Sequence, residues 1–110
     1  PDFNRTEAHY SNLYFGASIS ALTILAKEKG YSLVASNSEG SNIFFVRNDL
    51  MKNLKELSPK EAYVRSKFRE SRDPDGQMTF LSFKDRLELI KEKKVVNIVD
   101  SKVYTISEII

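Results

Sequence analysis

The sequence predicts a mixed α/β fold, and three observations carry that expectation. Residues 11–29 are apolar around most of a helical circumference and stop at Gly30, with Lys27 and Lys29 in the last turn. Asn42-Ile43-Phe44-Phe45-Val46-Arg47 is a short continuous apolar run, the pattern of a strand covered on both faces. Val95-Val96-Asn97-Ile98-Val99 and Val103-Tyr104-Thr105-Ile106 flank Asp100-Ser101-Lys102 and read as two more strands.

Taken in order, residues 1–10 are polar and irregular. The helix predicted over 11–29 contains Leu13, Tyr14, Phe15, Ile19, Leu22, Ile24 and Leu25, with small polar gaps only at Ser18, Ser20 and Thr23. A surface helix shows one apolar stripe, so this one is expected to be packed between neighbours. Tyr31–Ser36 and 42–47 form a hairpin around the turn formers Asn37-Ser38-Glu39-Gly40-Ser41. Asn48 is expected to cap a short helix to Leu57 that shows Leu50, Met51, Leu54 and Leu57 on one face. Ser58-Pro59-Lys60-Glu61 is a restart signal: serine caps, proline suits the first helical position, and glutamate can return the capping bond. That helix is expected to reach Glu70 and to bury Ala62, Tyr63 and Phe68. Asp73-Pro74-Asp75-Gly76 is a turn by composition, and 78–81 is a short extended segment. Ser82 opens a final helix to about Lys93 with Phe83, Leu87 and Ile90 as its stripe.

Composition narrows the class. A chain of 110 residues suits one small domain, and 41% hydrophobic with 29% charged residues is the globular range. There is no cysteine and one histidine, His9, so disulfides, thiolate metal sites and a multi-histidine cage are excluded. A reducing, cytoplasmic compartment is the simplest expectation. The net charge of +2 is unevenly placed: residues 1–50 hold four Lys/Arg against five Asp/Glu, and residues 51–110 hold thirteen against ten. The second half is mildly basic, short of the cationic surface that nucleic-acid binding shows, so nucleic acid is not an expected partner. No apolar run approaches the roughly eighteen residues of a membrane span, and the polar N-terminus carries no signal-peptide pattern. A start without methionine, inside a turn-like stretch, reads as a cut from a longer sequence.

The string Asn4-Arg5-Thr6-Glu7-Ala8-His9-Tyr10-Ser11-Asn12-Leu13-Tyr14-Phe15-Gly16-Ala17-Ser18 carries a resemblance. It continues through Ala21-Leu22, Lys29-Gly30-Tyr31-Ser32-Leu33-Val34, Asn37-Ser38-Glu39-Gly40-Ser41-Asn42 and Phe44-Phe45-Val46-Arg47-Asn48-Asp49-Leu50. Together these residues resemble the C-terminal part of a bacterial methyltransferase-like family related to the FkbM-type S-adenosylmethionine-dependent enzymes. The resemblance is continuous to about residue 54 and thinner beyond. It implies a Rossmann-like class I methyltransferase sheet, of which this chain supplies the last helix and an antiparallel strand pair in residues 1–57. Residues 58–110 then form an α+β C-terminal extension. It also implies S-adenosylmethionine as cofactor of a parent protein. The chain itself lacks the glycine-rich turn of a cofactor site, because Gly16, Gly30, Gly40 and Gly76 are isolated. No cofactor-binding residue and no metal ligand is assigned in this chain.

Two groups of side chains could carry chemistry. His9, Tyr10, Asn12 and Tyr14 cluster in sequence; the histidine could move a proton near neutral pH and the others could orient a substrate. Asn37, Asn42 and Arg47 flank the hairpin and could line the same face. The commoner use of such residues is capping and turn formation. Arg65, Arg69 and Arg72 fall at i, i+4 and i+7, one basic stripe if helical, able to meet phosphate or carboxylate, although a solvated face is the ordinary reading. There is no nucleophile elbow or phosphate-binding loop.

Two functions follow. The first is completion of a parent methyltransferase-like sheet, with one wall of a substrate pocket and no catalysis by this chain alone; the partner is then the remainder of its own chain. The second is a non-enzymatic interaction module that uses the basic stripe or the apolar helix. A two-stranded hairpin covers only one face of so apolar a helix, so the isolated chain is expected to self-associate.

Overall fold

Left-handed backbone at two positions stops the long N-terminal helix before it can form. In the computed structural model, which describes residues 2–110, Asn12 has φ 60° and Gly16 has φ 81°. Neither angle is helical. The helix expected over 11–29 is therefore shortened to Ile19–Glu28, with the Ser18 hydroxyl accepting from the Ala21 N–H at 3.1 Å as its cap. Upstream, a single turn that the sequence reading left irregular runs Arg5–Ala8, capped by the Asn4 side chain. We call these elements α1 (Arg5–Ala8) and α2 (Ile19–Glu28). Pro1, part of the stretch expected to be irregular, lies outside the described residues.

The architecture is α+β, built on three separate antiparallel strand pairs. The chain groups into two compact units, residues 17–68 and residues 2–16 with Arg69–Ile110. The division expected at 57/58 was drawn on a parent fold and belongs with the functional proposal below.

In the first unit α2 is followed by β1 (Tyr31–Ser36) and β2 (Ile43–Arg47), as expected. The pair runs antiparallel from Tyr31 opposite Arg47 to Ser36 opposite Ile43, with a bulge between Leu33 and Ala35. Leu33 is fully buried and sits with Thr23 of α2 and Ala62 at the centre of this unit. The helix expected over 48–57 is absent. Only a 3₁₀ turn at Asn48–Leu50 forms, Lys52 turns left-handed at φ 47°, and the Leu57 N–H donates to the Leu33 carbonyl at 2.8 Å. The edge of β1 thus takes a hydrogen bond from this segment. Asn48 does not cap; its side-chain oxygen accepts from the Ser32 hydroxyl at 2.6 Å.

The restart at Ser58 is as expected, with both halves of the capping box made: Ser58 N–H to Glu61 at 2.8 Å and Glu61 N–H to Ser58 at 3.2 Å. The helix it opens, α3 (Pro59–Ala62), does not reach Glu70. Tyr63 is already extended at ψ 124°, and the chain beyond it crosses the hairpin loop, where the Lys67 N–H donates to the Glu39 carbonyl at 2.9 Å. Gly40, at φ +66°, makes that crossing fit: a Cβ there would stand 2.5 Å from the Val64 carbonyl oxygen. Of the three residues expected to be buried by this helix, Ala62 is, whereas Tyr63 and Phe68 are exposed.

The second unit holds β3 (Ser71–Arg72) and β4 (Met78–Thr79), joined by the expected turn at 73–76. Asp73 builds that turn by accepting from the N–H groups of Asp75 at 3.0 Å and Gln77 at 2.9 Å. Helix α4 (Phe83–Ile90) follows, capped by Ser82. The strand pair β5 (Lys94–Asn97) and β6 (Lys102–Thr105) comes next, with Val96 opposite Val103. A last turn, α5 (Ile106–Ile109), packs Ile106 inward. Among the described residues no helix is long and apolar enough to cross a membrane.

Candidate functional site

The N-terminal loop of the second unit holds four of the candidate residues in a small, fixed cluster. Arg5 organises it. Its guanidinium donates to the Asn12 carbonyl at 2.8 and 3.2 Å and lies 4.1 Å from the centre of the Phe15 ring. The loop therefore closes on itself, and the left-handed Asn12 is the residue that turns it.

His9 sits half-buried inside the closed loop. Its Nδ1 lies 2.7 Å from the Ser11 hydroxyl oxygen and accepts from the Ser11 N–H at 3.3 Å. The ring of Tyr10 stacks on it at 4.4 Å between centroids. Burial, and then repulsion by Lys93, lowers the His9 pKa below the ordinary imidazole value. Tyr10 itself points to solvent. Tyr14 donates its hydroxyl to the Lys94 carbonyl, with the Lys93 ammonium 5.7 Å from its ring, so it anchors the loop to the β5 end.

Ser11 was not among the candidates, yet it is fully buried and central to the cluster. Beyond its contacts to His9, its hydroxyl accepts from the Leu13 N–H at 3.3 Å and its carbonyl accepts from the Arg72 N–H at 3.1 Å. A serine two residues after a histidine is the signal that could have pointed to it, because a side-chain acceptor bonding the N–H two residues on is the geometry of an Asx turn. A buried serine whose oxygen is held this way is closed to a substrate carbonyl. The His9–Ser11 pair is therefore a structural contact, not a nucleophile and its base.

Asn37 and Asn42 belong to the other unit. The Asn37 side chain accepts from the Ser41 N–H at 2.9 Å and the Asn42 N–H at 3.0 Å, and donates to the Ser41 hydroxyl at 3.0 Å. It holds the hairpin loop in shape. Arg47 is bidentate to Asp49 at 2.6 and 2.9 Å.

The arginine stripe is not formed. Residues 63–70 are not helical, so Arg65, Arg69 and Arg72 do not share a helix face. The reason is the extended path over Gly40 that ends α3 at Ala62. Arg69 donates to the Phe80 carbonyl at 2.8 Å, and Arg72 donates to the Gly76 carbonyl at 3.1 Å and approaches Glu70 at 3.5 Å. Both guanidiniums are occupied in bracing the β3–β4 hairpin.

An open groove of about 260 Å³ in the first unit is lined by Leu22, Leu25, Ala26 and Lys29 on the α2 side, together with Tyr31 and Phe45. Its wall is apolar, with no convergent polar groups of the kind that fix a substrate. Among the described residues, no group of three or more His, Asp or Glu side chains gathers to hold a metal ion.

No family model, no curated protein and no solved structure matches the chain.

Proposed function

We propose that this chain is a sheet-completing part of a methyltransferase-like protein related to the FkbM-type enzymes, and that it performs no catalysis alone. The observation that supports this reading is apolar surface left open on α2 and β2. Ile24 is 37% exposed, Leu25 45% and Phe44 51%, on the helix and strand whose sequences are patterned for two-sided packing. In this reading α2, β1 and β2 are the closing helix and antiparallel pair of a Rossmann-like sheet, within residues 1–57, and residues 58–110 are an extension. The order of these elements in the chain is compatible with that role. The remainder of the parent chain is the partner that covers the open side, and S-adenosylmethionine is bound by the parent. His9, Tyr10, Asn12 and Tyr14 of one unit stand as candidates to face a substrate, and Asn37 and Asn42 of the other unit stand as separate candidates. Tyr10 is the most available of the first four, because His9 and Tyr14 are already engaged. A cytoplasmic setting belongs to the same proposal.

Calorimetric titration tests it. A longer protein carrying this segment binds S-adenosylmethionine, whereas the 110-residue chain does not. Tight one-to-one binding by the chain alone overturns the reading. The open apolar side also makes the isolated chain self-associate. Light scattering across a dilution series then shows mass rising with concentration; a monomer at every concentration contradicts the need for a covering sheet.

A further inference from the structure

Strand β2 has an open side. The Asn48 N–H donates to the Gly30 carbonyl at 2.9 Å and the Asn37 N–H to the Asn42 carbonyl at 3.1 Å, so Asn42 and Asn48 face β1 at the two ends of the pair. Backbone groups alternate in direction along a strand, which turns Phe44 and Val46 toward β1 as well, and Ile43, Phe45 and Arg47 away from it. The sheet ends at β2. Among the described residues, no hydrogen bond within the chain reaches the backbone N–H or C=O of these three. Other strand edges are occupied or shorter. Leu57 donates to Leu33 of β1, Arg72 of β3 donates to Ser11, Lys94 of β5 accepts from Tyr14, and the Thr105 N–H of β6 donates to Glu108. Strand β4 turns Met78 alone outward.

Edge strands are ordinarily blunted by lysine, proline or a bulge. Strand β2 carries none of these: it reads Ile43-Phe44-Phe45-Val46-Arg47, the bulge lies in β1, and the Arg47 guanidinium is held by Asp49. We propose that β2 pairs antiparallel with β2 of a second copy about a two-fold axis at Phe45, joining the two hairpins into one four-stranded sheet. The proposal rests on the self-association read above, and adds its surface, its register and its end point.

The register follows from self-complementarity. An edge that meets its own copy antiparallel must bring outward residues opposite outward residues. Centring on Phe45 sets Phe45 opposite Phe45 and Ile43 opposite Arg47, so every outward residue of the strand exchanges both of its backbone bonds. A slip by two residues leaves one outward residue of each strand without a partner in the other. Phe44, 51% exposed, then comes opposite Val46 on one face of the sheet. On the other face the two Phe45 rings meet beside the apolar groove that Phe45 lines with Leu22, Leu25 and Tyr31. Charge agrees with this register. Arg47 is the one charged residue of the strand; it faces Ile43 and keeps its own Asp49, so no like charges oppose. An isologous pairing uses the same edge on both copies, so association closes at two.

The test is light scattering on the full chain across a dilution series, where the mass is expected to rise to twice that of the monomer and stop. Phe45→Lys and Phe45→Glu each set like charges opposite one another, and each alone is expected to weaken the dimer about tenfold. An equimolar mixture restores it, because lysine then faces glutamate. A dimer that persists in either variant alone, or fails to return in the mixture, overturns this register. Persistence means association through another face, which leaves the covering-sheet reading standing; S-adenosylmethionine titration tests that reading by itself. A wild-type monomer at every concentration, or a mass that climbs beyond two copies, overturns the pairing. If the variants do not fold, amide hydrogen exchange of the wild type decides. Protection at Ile43, Phe45 and Arg47 is expected to rise roughly tenfold from dilute to concentrated solution, while Phe44 and Val46, bonded to β1, stay protected throughout. Unchanged protection at the three outward amides refutes the proposal.

Discussion

The two units of this chain are held by different means. Residues 17–68 are continuous in sequence and close around Leu33, with Thr23 and Ala62 beside it and backbone from residues 57 and 67 hydrogen-bonded to the hairpin. Residues 2–16 and 69–110 must be brought together from the two ends of the chain. Their junction is polar: the Arg72 N–H on the Ser11 carbonyl, and the Tyr14 hydroxyl on the Lys94 carbonyl. Their most buried side chains are Ser11 and Ser71, the latter bonded to Thr79, with Ile106 the main apolar one. Apolar burial is non-directional and tolerates small shifts, whereas buried serines demand their partners in place. The first unit should therefore be most sensitive to lost volume, and the second to lost hydrogen bonds.

The largest expected effect comes from emptying the centre of the first unit. Leu33→Ala removes its one fully buried large apolar side chain and should cost about 2–5 kcal/mol in urea unfolding. A loss under about 1 kcal/mol would mean the site collapses freely and that Leu33 does not organise the unit.

Gly40 and Gly16 sharpen the contrast, since both have positive φ, +66° and +81°, and differ in surroundings. Alanine at Gly16 meets nothing within 4 Å, so only the left-handed backbone is penalised, roughly 1–2 kcal/mol. Alanine at Gly40 bears the same penalty and also meets backbone at 2.5 and 2.7 Å, which cannot swing aside. Gly40→Ala should destabilise by at least about 1 kcal/mol more than Gly16→Ala in matched melts. Equal losses would refute the close crossing of residues 64–66 over the loop.

Cap removal ranks next. Ser58→Ala deletes one half of the capping box of α3 and should cost about 1 kcal/mol, read by urea unfolding. No change would indicate that proline at the first helical position and the packing of Ala62 suffice to seat the turn.

The smallest effect is on the acid limb, and it falls in both units. Hydrogen bonds from Ser58 hold the Glu61 carboxyl below its ordinary pKa, and those from Thr105 do the same for Glu108. A carboxylate with a lowered folded pKa contributes stability above its unfolded value and loses it as pH falls through the folded one. Glu61→Gln and Glu108→Gln should each flatten the loss of stability below about pH 4.5, compared with wild type in pH-stepped melts. An unchanged acid limb in both variants would show these exposed caps to be thermodynamically silent.

Elements whose signals are local were legible. The stop at Gly30, the β1–β2 hairpin, the box at Ser58, the turn at 73–76, the cap at Ser82 and the β5–β6 pair all formed near their expected places. Each is specified by neighbours a few residues apart. Two short turns were missed although their signals were present. Asn4 caps α1, and Thr105-Ile106-Ser107-Glu108 is a capping sequence whose glutamate accepts from the Thr105 N–H at 2.6 Å. Of the candidate site, the cluster around His9 proved to be a real spatial group, but Ser11 at its centre was overlooked and the arginine stripe dissolved with its helix.

Sequence alone determined where the chain turns, which residues cap, and that cysteine and multi-histidine chemistry are absent. Helix length was decided only in three dimensions. The apolar pattern over 11–29 and the polar–apolar mixture over 59–70 are both compatible with helix, and propensity favours continuing a helix once begun. A left-handed Asn12, a hydrogen bond from Leu57 to β1 and the passage of residues 64–66 over Gly40 outweighed that preference. The last two join residues far apart in the chain, and each satisfies backbone groups or packs surface that a longer helix would leave unpartnered. The setting of His9 was decided the same way: its chemistry was visible as a residue type, but only the closed loop places its Nδ1 2.7 Å from the buried Ser11 hydroxyl.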